Sequence, residues 1–422
     1  MQHARRGLST TATTGLFHSE KSSFNSRGRR LRRIPVLAMG ITLFCVISIL
    51  RYPFRLSDSA DSYLFDRPCP SDFARNNAHQ KGTTPALSRD LFFLCHDPAV
   101  SFLKILKPPP LRPLSGPTKS SIASTDTVNH HYRPRILCLV LTQSSSHSTR
   151  LDAILDTWGR KCDAFLAASN ATDPLRHALR IESQEGYWGI WDKIMKTLQL
   201  VLLDEALASF DWILKADDDS YVIMENLQAF LSKPNMTDSS RPLIFGRNMP
   251  WPRLSELKNF IGWFETPSDK MFQRRLFAKF PDPKQRLVYA HGGPGYIMNR
   301  KYAQILTQAY FESPDSVKGR VSEDLANAVT MLYRNITPHS TMDWENGKER
   351  SHPESPRTMY NNPKWLPRVQ AAIQNRGDGP ECCSTTSISY HHVGYREMRL
   401  LDYQLYTCPE LLRSTKEHAI PA

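Results

Sequence analysis

The first 33 residues of this 422-residue chain almost lack acidic side chains, because Glu20 is the single carboxylate beside eight basic residues. This segment therefore carries +7 (eight minus one) of the formal charge of +13. A nucleic-acid-binding surface is not expected, since more than half of the excess charge lies in this tail. The chain also lacks an internal repeat, which argues against a repeat architecture.

Residues 34–50 lack charge altogether and form an apolar run. As a helix this run would be roughly 25 Å long, near the lower limit for spanning a bilayer. No small-residue cleavage site follows it, which favours an uncleaved anchor over a removed signal peptide. Because the arginines precede the run, we expect a type II protein with residues 1–33 in the cytosol and the remainder in the lumen. A buried core helix is the alternative, but a polybasic neighbour suits a core poorly.

Residues 51–130 contain a proline triplet and a run rich in serine and threonine, which is typical of an extended, solvated stem. Two islands, around Cys69 and Cys95, could form a small disulfide-linked knot or pack onto the domain that follows. We expect the folded domain over residues 131–410 and a short tail over residues 411–422.

Seven cysteines follow the predicted anchor, in a compartment that is oxidising and favours disulfides. Because seven is odd, at least one stays free or pairs between chains, and the second outcome would give a homodimer. The disulfide candidates are Cys69, Cys95, Cys138, Cys162, Cys382, Cys383 and Cys408. Three N-glycosylation sequons agree with a lumenal domain, although such tripeptides are common by chance. They begin at Asn170, Asn235 and Asn335.

Patterns of strands and helices alternate beyond the stem. Residues 135–142 are a continuous apolar run, typical of a strand buried on both faces. Helical spacing of apolar residues over 151–158 and 190–202 predicts two helices around a second strand at 164–168. This alternation predicts an α/β fold with a mostly parallel sheet flanked by helices. Residues 248–286 are polar, basic and rich in proline and aromatics, so we expect an elaborated loop there.

Three consecutive carboxylates, Asp217, Asp218 and Asp219, follow a short apolar strand at 212–214. Adjacent carboxylates repel one another unless a cation offsets their charge, and Mg²⁺ or Mn²⁺ prefers such oxygen ligands. Open α/β sheets also bind ligands at the carboxyl ends of their strands. A solvated acidic turn is the alternative. Apolar residues on both sides, including 221–223, favour a ligand site.

Three later patterns could belong to the same site. The glycine-rich segment 291–296 could bring backbone close to a sugar or diphosphate, or it could be a plain tight turn. Glu323 and Asp324 open a predicted helix, where acids commonly only favour the helix dipole. A strand that ends in His391 and His392 could deliver an imidazole to a metal, or the pair could lie on the surface.

The order of these motifs resembles glycosyltransferase family 31, in particular the animal core 1 β1,3-galactosyltransferases. The resemblance covers most of residues 135–408 through the segments 136–140, 191–193, 212–222, 245–247, 292–296, 323–325, 347–349, 352–353, 379–384 and 389–393. It implies a GT-A-type fold in the Golgi membrane. It also implies inverting transfer of galactose from UDP-galactose, in β1,3 linkage, to a sugar acceptor on glycoproteins.

The resemblance also implies roles for individual residues. Asp217, Asp219 and His391 would hold Mn²⁺ against the diphosphate, and Asp324 would be the general base for the acceptor hydroxyl. The candidates for binding the donor are Lys193, Lys215, Asp218, Gly292 and Gly293. From residue chemistry alone the histidine is the least expected ligand, because imidazole usually favours softer metals than Mn²⁺.

The sequence departs from the family pattern in two places. The family carries an aromatic-rich segment before its Cys-Cys motif, whereas residues 369–374 contain no aromatic side chain, so the acceptor stays open. The loop at 248–286 is also longer and more basic. Two alternatives remain: a Fringe-like transferase that uses another UDP-sugar, and a non-catalytic, membrane-anchored folding partner. The intact acidic triplet argues against the second.

Overall fold

The computed structural model describes residues 95–106, 132–184, 186–233, 236, 238–250, 252–259, 264, 266–319, 321–361 and 382–409. All of these residues fall in one compact unit, Ala74–Ala422. The predicted cytosolic tail, the anchor, most of the stem, the C-terminal tail and Asn235 lie outside the described residues. Within the described ranges, no helix combines the length and apolarity that a membrane span requires.

The described strands form one large and two small sheets. In chain order they are β1 Ile136–Leu141, β2 Ala164–Ser169, β3 Ala178–Arg180, β4 Trp212–Asp217, β5 Tyr221–Val222, β6 Ile244–Gly246, β7 Asn248–Met249, β8 Tyr289–Ala290, β9 Tyr296–Asn299, β10 His339–Ser340, β11 Ser351–His352 and β12 Ser389–Tyr390. The large sheet has the order β10-β6-β9-β4-β1-β2-β3. The small sheets have the orders β11-β12-β5 and β7-β8.

The central strand β1 is buried on both faces, as its continuous apolar run predicts. It pairs in parallel with β2 on one side and with β4 on the other. Leu137 and Leu139 join one apolar cluster, while Ile136 and Val140 join a second cluster on the opposite face. Full burial of such a side chain stabilises the fold by about 1.5–3 kcal/mol. The strand thus holds the two halves of the core together.

The large sheet is mixed rather than parallel throughout. β9 lies between β4 and β6 and runs antiparallel to both, and the sequence pattern did not reveal this strand. Gly295 precedes it with φ +84°, and a Cβ there would lie 2.7 Å from the carbonyl oxygen of Lys215. Only glycine adopts that conformation readily and permits so close an approach. The remaining pairs of this sheet are parallel, as predicted.

Helices cover both faces of the large sheet. The described α-helices are α1 Pro98–Ser101, α2 Asp152–Asp156, α3 Ile190–Leu203, α4 Met224–Leu231, α5 Pro267–Lys279, α6 Arg300–Glu312, α7 Glu323–Leu332, α8 Pro356–Asn361 and α9 Tyr395–Asp402. Apolar side chains of α3, α6 and α7 join one cluster, and those of α2, α4 and α9 join the other. The helix predicted over 151–158 is shorter and follows a π-helical turn at His147–Leu151.

The prediction that residues 248–286 form a loop is wrong over α5. The side chain of Thr266 caps this helix by accepting a hydrogen bond from the backbone N–H of Asp269 (3.1 Å). Pro267 follows in the first turn, where its missing N–H costs nothing. Phe272 and Leu276, one turn apart, are buried, and five of the other eleven residues of the helix are charged. The sparse apolar pattern explains why the sequence did not reveal it.

Six of the seven candidate cysteines form disulfides within the described residues. The pairs are Cys95–Cys408, Cys138–Cys162 and Cys382–Cys383. The first pair ties the second island of the stem to the folded domain, so this island packs on the domain. Cys69 lies outside the described residues.

Candidate active site

The candidate site lies at the carboxyl end of β4, which ends at Asp217. The chain turns there and returns as β5, which pairs antiparallel with β12 of a different sheet. His391 and His392 follow β12, and the backbone N–H of Val393 donates a hydrogen bond to the carbonyl of Asp219 (2.9 Å). The acidic turn and the histidine pair are therefore held together by main-chain bonds.

The first two carboxylates of the turn have cationic partners in the protein. Asp217 accepts a hydrogen bond from the ammonium of Lys215 (2.8 Å). Asp218 is buried and accepts bonds from the hydroxyl of Thr142 (2.8 Å) and the guanidinium of Arg150 (2.8 Å). Burial raises the pKa of Asp218, although these two bonds oppose the shift. Lysine and arginine thus offset much of the repulsion that the sequence analysis assigned to a bound cation.

Asp219 faces the histidines instead. Its Oδ1 lies 3.1 Å from Nε2 of His391, and its Oδ2 lies 3.5 Å from Arg150. Burial alone would raise the pKa of Asp219, but the hydrogen bond and charge of His391 outweigh it, so the pKa is lowered. Asp219 is therefore ionised at neutral pH, as a carboxylate ligand of a metal must be.

His392 brings a second imidazole to the same place. Consecutive side chains of a strand point to opposite faces, but His392 has φ +53°, a left-handed conformation that is costly for a non-glycine residue. The rings of His391 and His392 lie 3.8 Å apart between centroids. One ligand atom each from Asp219, His391 and His392 lie within 4.8 Å of one another. Asp217 is close by, with Oδ2 at 3.8 Å from Nε2 of His391.

The glycine-rich loop packs directly on this group. A Cβ on Gly293 would overlap with the ring of His391, so glycine is required for the close contact. The hydroxyl of Ser220 donates a hydrogen bond to the carbonyl of Gly293 (2.7 Å) and fixes the loop to the acidic turn. The glycine-rich loop does bring its backbone close to another group, as predicted, and that group is the side chain of His391. Contact of this loop with a sugar or diphosphate stays a prediction.

The two acids that open α7 have different surroundings. Glu323 is only 6% exposed, and the hydroxyl of Tyr296 donates a hydrogen bond to it. Asp324 is partly exposed and accepts bonds from the backbone N–H groups of Gly292 (3.1 Å) and Leu325 (2.8 Å). Burial raises the pKa of both carboxyl groups, against the opposing effect of their hydrogen bonds. Glu323 faces the core, and Asp324 lies against the glycine-rich loop.

Lys215 connects the two acidic groups through the interior. Its ammonium, 2% exposed, lies 2.8 Å from Asp217, 3.1 Å from the carbonyl of Gly292 and 3.4 Å from Glu323. Burial would lower the pKa of Lys215, but the charges of Asp217 and Glu323 raise it overall. An ammonium has three donors, and these three partners account for them. The structure therefore gives Lys215 a bridging position, and its predicted contact with the nucleotide is untested.

Other predicted site residues lie elsewhere or await a test. Lys193 is in the first turn of α3 and is partly buried, and its role in donor binding stays a prediction. Asn335 is exposed after the end of α7, as an acceptor of a glycan must be. Asn170 is less accessible, since its side chain accepts a hydrogen bond from the backbone of Ser144 (2.8 Å).

Two groups beside the histidines were not singled out from the sequence. Burial raises the pKa of Glu354 to about 7, and its Oε1 lies 3.9 Å from Nε2 of His392. His291 is deeply placed, and burial together with the nearby His391 lowers its pKa to about 3, so it is neutral. The signals were present, because Glu354 follows a matching His-Pro segment and His291 opens the glycine-rich loop. For neither residue does the sequence indicate which charged side chain lies beside it in the fold.

Comparison with known proteins identifies the class. Residues 133–327 match the family model described as Fringe-like. That region runs from the strand β1 into the first turn of α7 and includes the acidic turn, the glycine-rich loop and Asp324. The match to the Fringe-like model therefore covers most of the large sheet.

One curated relative is particularly informative. The chain is 26% identical over 279 residues to glycoprotein-N-acetylgalactosamine 3-beta-galactosyltransferase 1 of Xenopus laevis. The alignment covers 64% of this chain and 66% of the relative, so the chain spans just under two thirds of that protein's length. Together with the Fringe-like match, this similarity confirms the resemblance to glycosyltransferase family 31.

A solved structure is also similar, the apo structure of the bifunctional glycosyltransferase WbbM. Its TM-score is 0.34 at 10% identity, with 67% of this chain and 52% of that chain covered.

Proposed function

We propose that the protein is an inverting glycosyltransferase that transfers galactose from UDP-galactose, in β1,3 linkage, to a sugar on a glycoprotein. Glycosyltransferase activity is supported by the Fringe-like match and by the similarity to the Xenopus protein. The proposed donor sugar, linkage and acceptor are those in the name of the Xenopus protein, and the intact motifs of this chain support them.

The main support for the proposal is that Asp324 and His391 contact two consecutive glycines of the same loop. The backbone N–H of Gly292 donates a hydrogen bond to Asp324 (3.1 Å), and Gly293 packs on the ring of His391. A group that binds cations and a group that accepts protons therefore flank one short loop. An inverting transfer needs this pairing, because the leaving group departs from one face of the donor sugar while the acceptor attacks the other.

The cation side of the site fits a divalent metal. Asp219, His391 and His392 offer one carboxylate and two imidazoles within 4.8 Å, and Asp217 lies beside them. Nitrogen and oxygen donors of this kind suit first-row ions, among which we propose Mn²⁺. When bound there, such an ion would offset the charge that develops on the departing UDP. The chain itself contributes Gly293, whose missing side chain lets His391 sit against the loop.

Asp324 would act as the general base. The bonds from the N–H groups of Gly292 and Leu325 fix both of its carboxylate oxygens. Burial raises its pKa, which makes it a stronger proton acceptor than an ordinary aspartate. In the proposed step the acceptor hydroxyl gives its proton to a carboxylate oxygen of Asp324 as its own oxygen attacks the donor sugar.

The proposal includes a location and a partner. The protein would be a type II glycoprotein of the Golgi membrane, anchored by residues 34–50, with its domain in the lumen and glycoproteins as substrates. A disulfide-linked homodimer would need a cysteine outside the three described disulfides. Glycosidase treatment and protease protection of sealed microsomes would test this topology.

A donor-by-acceptor screen tests the activity itself. Purified full-length protein in detergent is incubated with several UDP-sugars and sugar acceptors, with Mn²⁺ or with excess chelator, and the UDP released and the linkage formed are measured. We expect UDP-galactose to be used best, and the chelator to abolish turnover. Preference for another UDP-sugar would favour the Fringe-like alternative. Absence of turnover with every donor would favour the non-catalytic folding partner.

A further inference from the structure

Two large aromatic side chains stand exposed next to each other just before α3. Tyr187 is 59% exposed and Trp188 is 42% exposed, in the short 3₁₀-helix Tyr187–Gly189. Their rings meet edge to face, with centroids 5.1 Å apart and an angle of 81° between planes. Burial of two such rings would be favourable, so their exposure needs a reason.

The backbone holds this pair firmly. Gly186 has φ +81°, and a Cβ on Gly189 would overlap with the backbone of Gln184, so both positions require glycine. The N–H of Gly189 bonds to the carbonyl of Gly186 (3.1 Å) and closes the turn. Immediately afterwards the indole of Trp191, which is buried, donates a bond to the carbonyl of Val317 (2.8 Å). The exposed pair therefore sits on an anchored element.

The pair lies on the side of the site that holds the candidate base. Helix α3 is in contact with α7, the helix that begins with Glu323 and Asp324. Burial of its hydroxyl raises the pKa of Tyr187 to about 12, and the charges of Asp324 and Glu323 contribute to this shift. The hydroxyl is thus shielded beside the acids while the side chain as a whole is mostly exposed.

We propose that Tyr187 and Trp188 form a stacking platform for the sugar ring of the acceptor, adjacent to Asp324. The proposal rests on the proposed function, because it takes Asp324 as the group that receives the acceptor proton. The face of an aromatic ring is electron-rich, and the C–H groups on one side of a pyranose ring are weakly positive. A sugar ring stacked on one of these two rings, with the other ring against its edge, would present its hydroxyls beside the carboxylate.

This placement narrows the class of acceptor. The cation side of the site, around Asp219 and His391, would hold the diphosphate of the donor, whereas the pKa of Tyr187 responds more strongly to the charges of Asp324 and Glu323 than to those of Lys215 and Asp217. The aromatic pair therefore belongs to the acceptor, and the acceptor is a sugar that carries the reacting hydroxyl rather than a bare serine or threonine.

The test compares Trp188→Ala with Trp344→Ala in the full-length protein. Trp344, 73% exposed, is the matched control, since it is another exposed tryptophan outside the proposed platform. We measure kcat and the acceptor KM with a sugar glycoside, UDP affinity by calorimetry, and binding of the same glycoside by saturation-transfer NMR. Loss of stacking should raise the acceptor KM of Trp188→Ala roughly 5- to 100-fold. UDP affinity and the KM of Trp344→Ala should stay unchanged.

Tyr187→Phe separates the ring from the hydroxyl. It keeps the aromatic face, so it should retain the acceptor KM, whereas Tyr187→Ala should raise it. An unchanged acceptor KM and NMR signal in both Trp188→Ala and Tyr187→Ala would overturn the platform. A loss of UDP affinity in these variants as large as their loss of acceptor binding would also overturn it. If the wild-type protein transfers no sugar, the proposed function fails by itself. In that case the NMR measurement still tests the platform. Binding of the glycoside by the wild type but not by Trp188→Ala would support it, and equal binding by both would overturn it.

Discussion

The acidic turn at residues 217–219 and the acidic start of α7 are built in comparable ways. In each group one carboxylate is buried and bound by protein donors, and its neighbour in sequence is partly exposed. Asp218 is held by Thr142 and Arg150, and Asp219 lies beside His391. At α7, Glu323 is held in the interior and Asp324 lies against the glycine-rich loop.

The two groups differ in the direction of their pKa shifts. The hydrogen bond and charge of His391 outweigh burial and lower the pKa of Asp219. Burial raises the pKa of Asp324, which accepts hydrogen bonds from the neutral backbone N–H groups of Gly292 and Leu325. Environments that shift the pKa values of two carboxyl groups in opposite directions suit the two groups to different chemical roles. Asp219 stays ionised and suits a cation, whereas Asp324 is more basic and suits a proton.

Replacement of the proposed base should have the largest effect. Asp324→Asn keeps the shape of the side chain and removes its basicity, so kcat should fall by a factor of roughly 10²–10⁴. UDP affinity in the presence of Mn²⁺, measured by calorimetry, should stay close to that of the wild type. Glu323→Gln is the control, and its rate should fall far less because Glu323 faces the core. Normal turnover by Asp324→Asn would mean that the base lies elsewhere.

Removal of the bridge between the two acidic groups should be the next largest effect. Lys215→Met leaves the carboxylates of Asp217 and Glu323 without their buried cation. Breaking a buried ion pair in this way costs about 3–5 kcal/mol of unfolding free energy. Lys196→Met is the control, because Lys196 pairs with Asp192 at the surface (2.7 Å) and should cost at most about 1 kcal/mol. Equal denaturant midpoints for the two variants would contradict the bridging role.

The cation side can be tested separately from the base. Asp219→Asn removes the charged ligand and should weaken Mn²⁺ binding, measured by calorimetry without donor, by at least roughly 10–100-fold. Asp218→Asn should retain most of the metal affinity and lose stability instead, because Asp218 is bound by Thr142 and Arg150. The reverse pattern would show that the wrong carboxylate of the turn was assigned to the metal.

Much of this arrangement was predictable from the sequence because it depends on local pattern. The continuous apolar run at 135–142 and the acids at the start of α7 were predicted, and the structure has a strand at Ile136–Leu141 and a helix that begins at Glu323. The proximity of Asp219 and His391 followed from the family resemblance. Periodicity and motif order carry this information without knowledge of tertiary contacts.

The unpredicted features depend on contacts between distant segments. Strand β9 is four residues long and is defined by its two neighbours rather than by its own pattern. The left-handed backbone of His392 is held by main-chain bonds on both sides, so nothing in its own sequence indicates that its ring joins His391. Likewise, the ion pair between Glu323 and Lys215 joins residues that are more than a hundred positions apart in the sequence.

The smallest effect concerns pH and leaves the rate near neutrality unchanged. A general base must be deprotonated, so kcat/KM should fall as pH drops through the pKa of Asp324, about tenfold per pH unit. Because burial raises that pKa, this limb should lie above the ordinary value for aspartate, about 3.9. Asp219 cannot cause it, since its pKa is lowered and it titrates below that value.

Glu354 is the competing source of such a limb, because burial raises its pKa to about 7. Glu354→Gln should therefore retain the limb if Asp324 is responsible, while the residual activity of Asp324→Asn should lack it. Thermal melting at each pH separates titration of the site from unfolding of the domain. A limb at or below pH 3.9 in the wild type, or one that disappears in Glu354→Gln, would remove Asp324 as the titrating base. The opposite pKa shifts of Asp219 and Asp324 would then reflect only how the two side chains are packed, and not separate roles in catalysis.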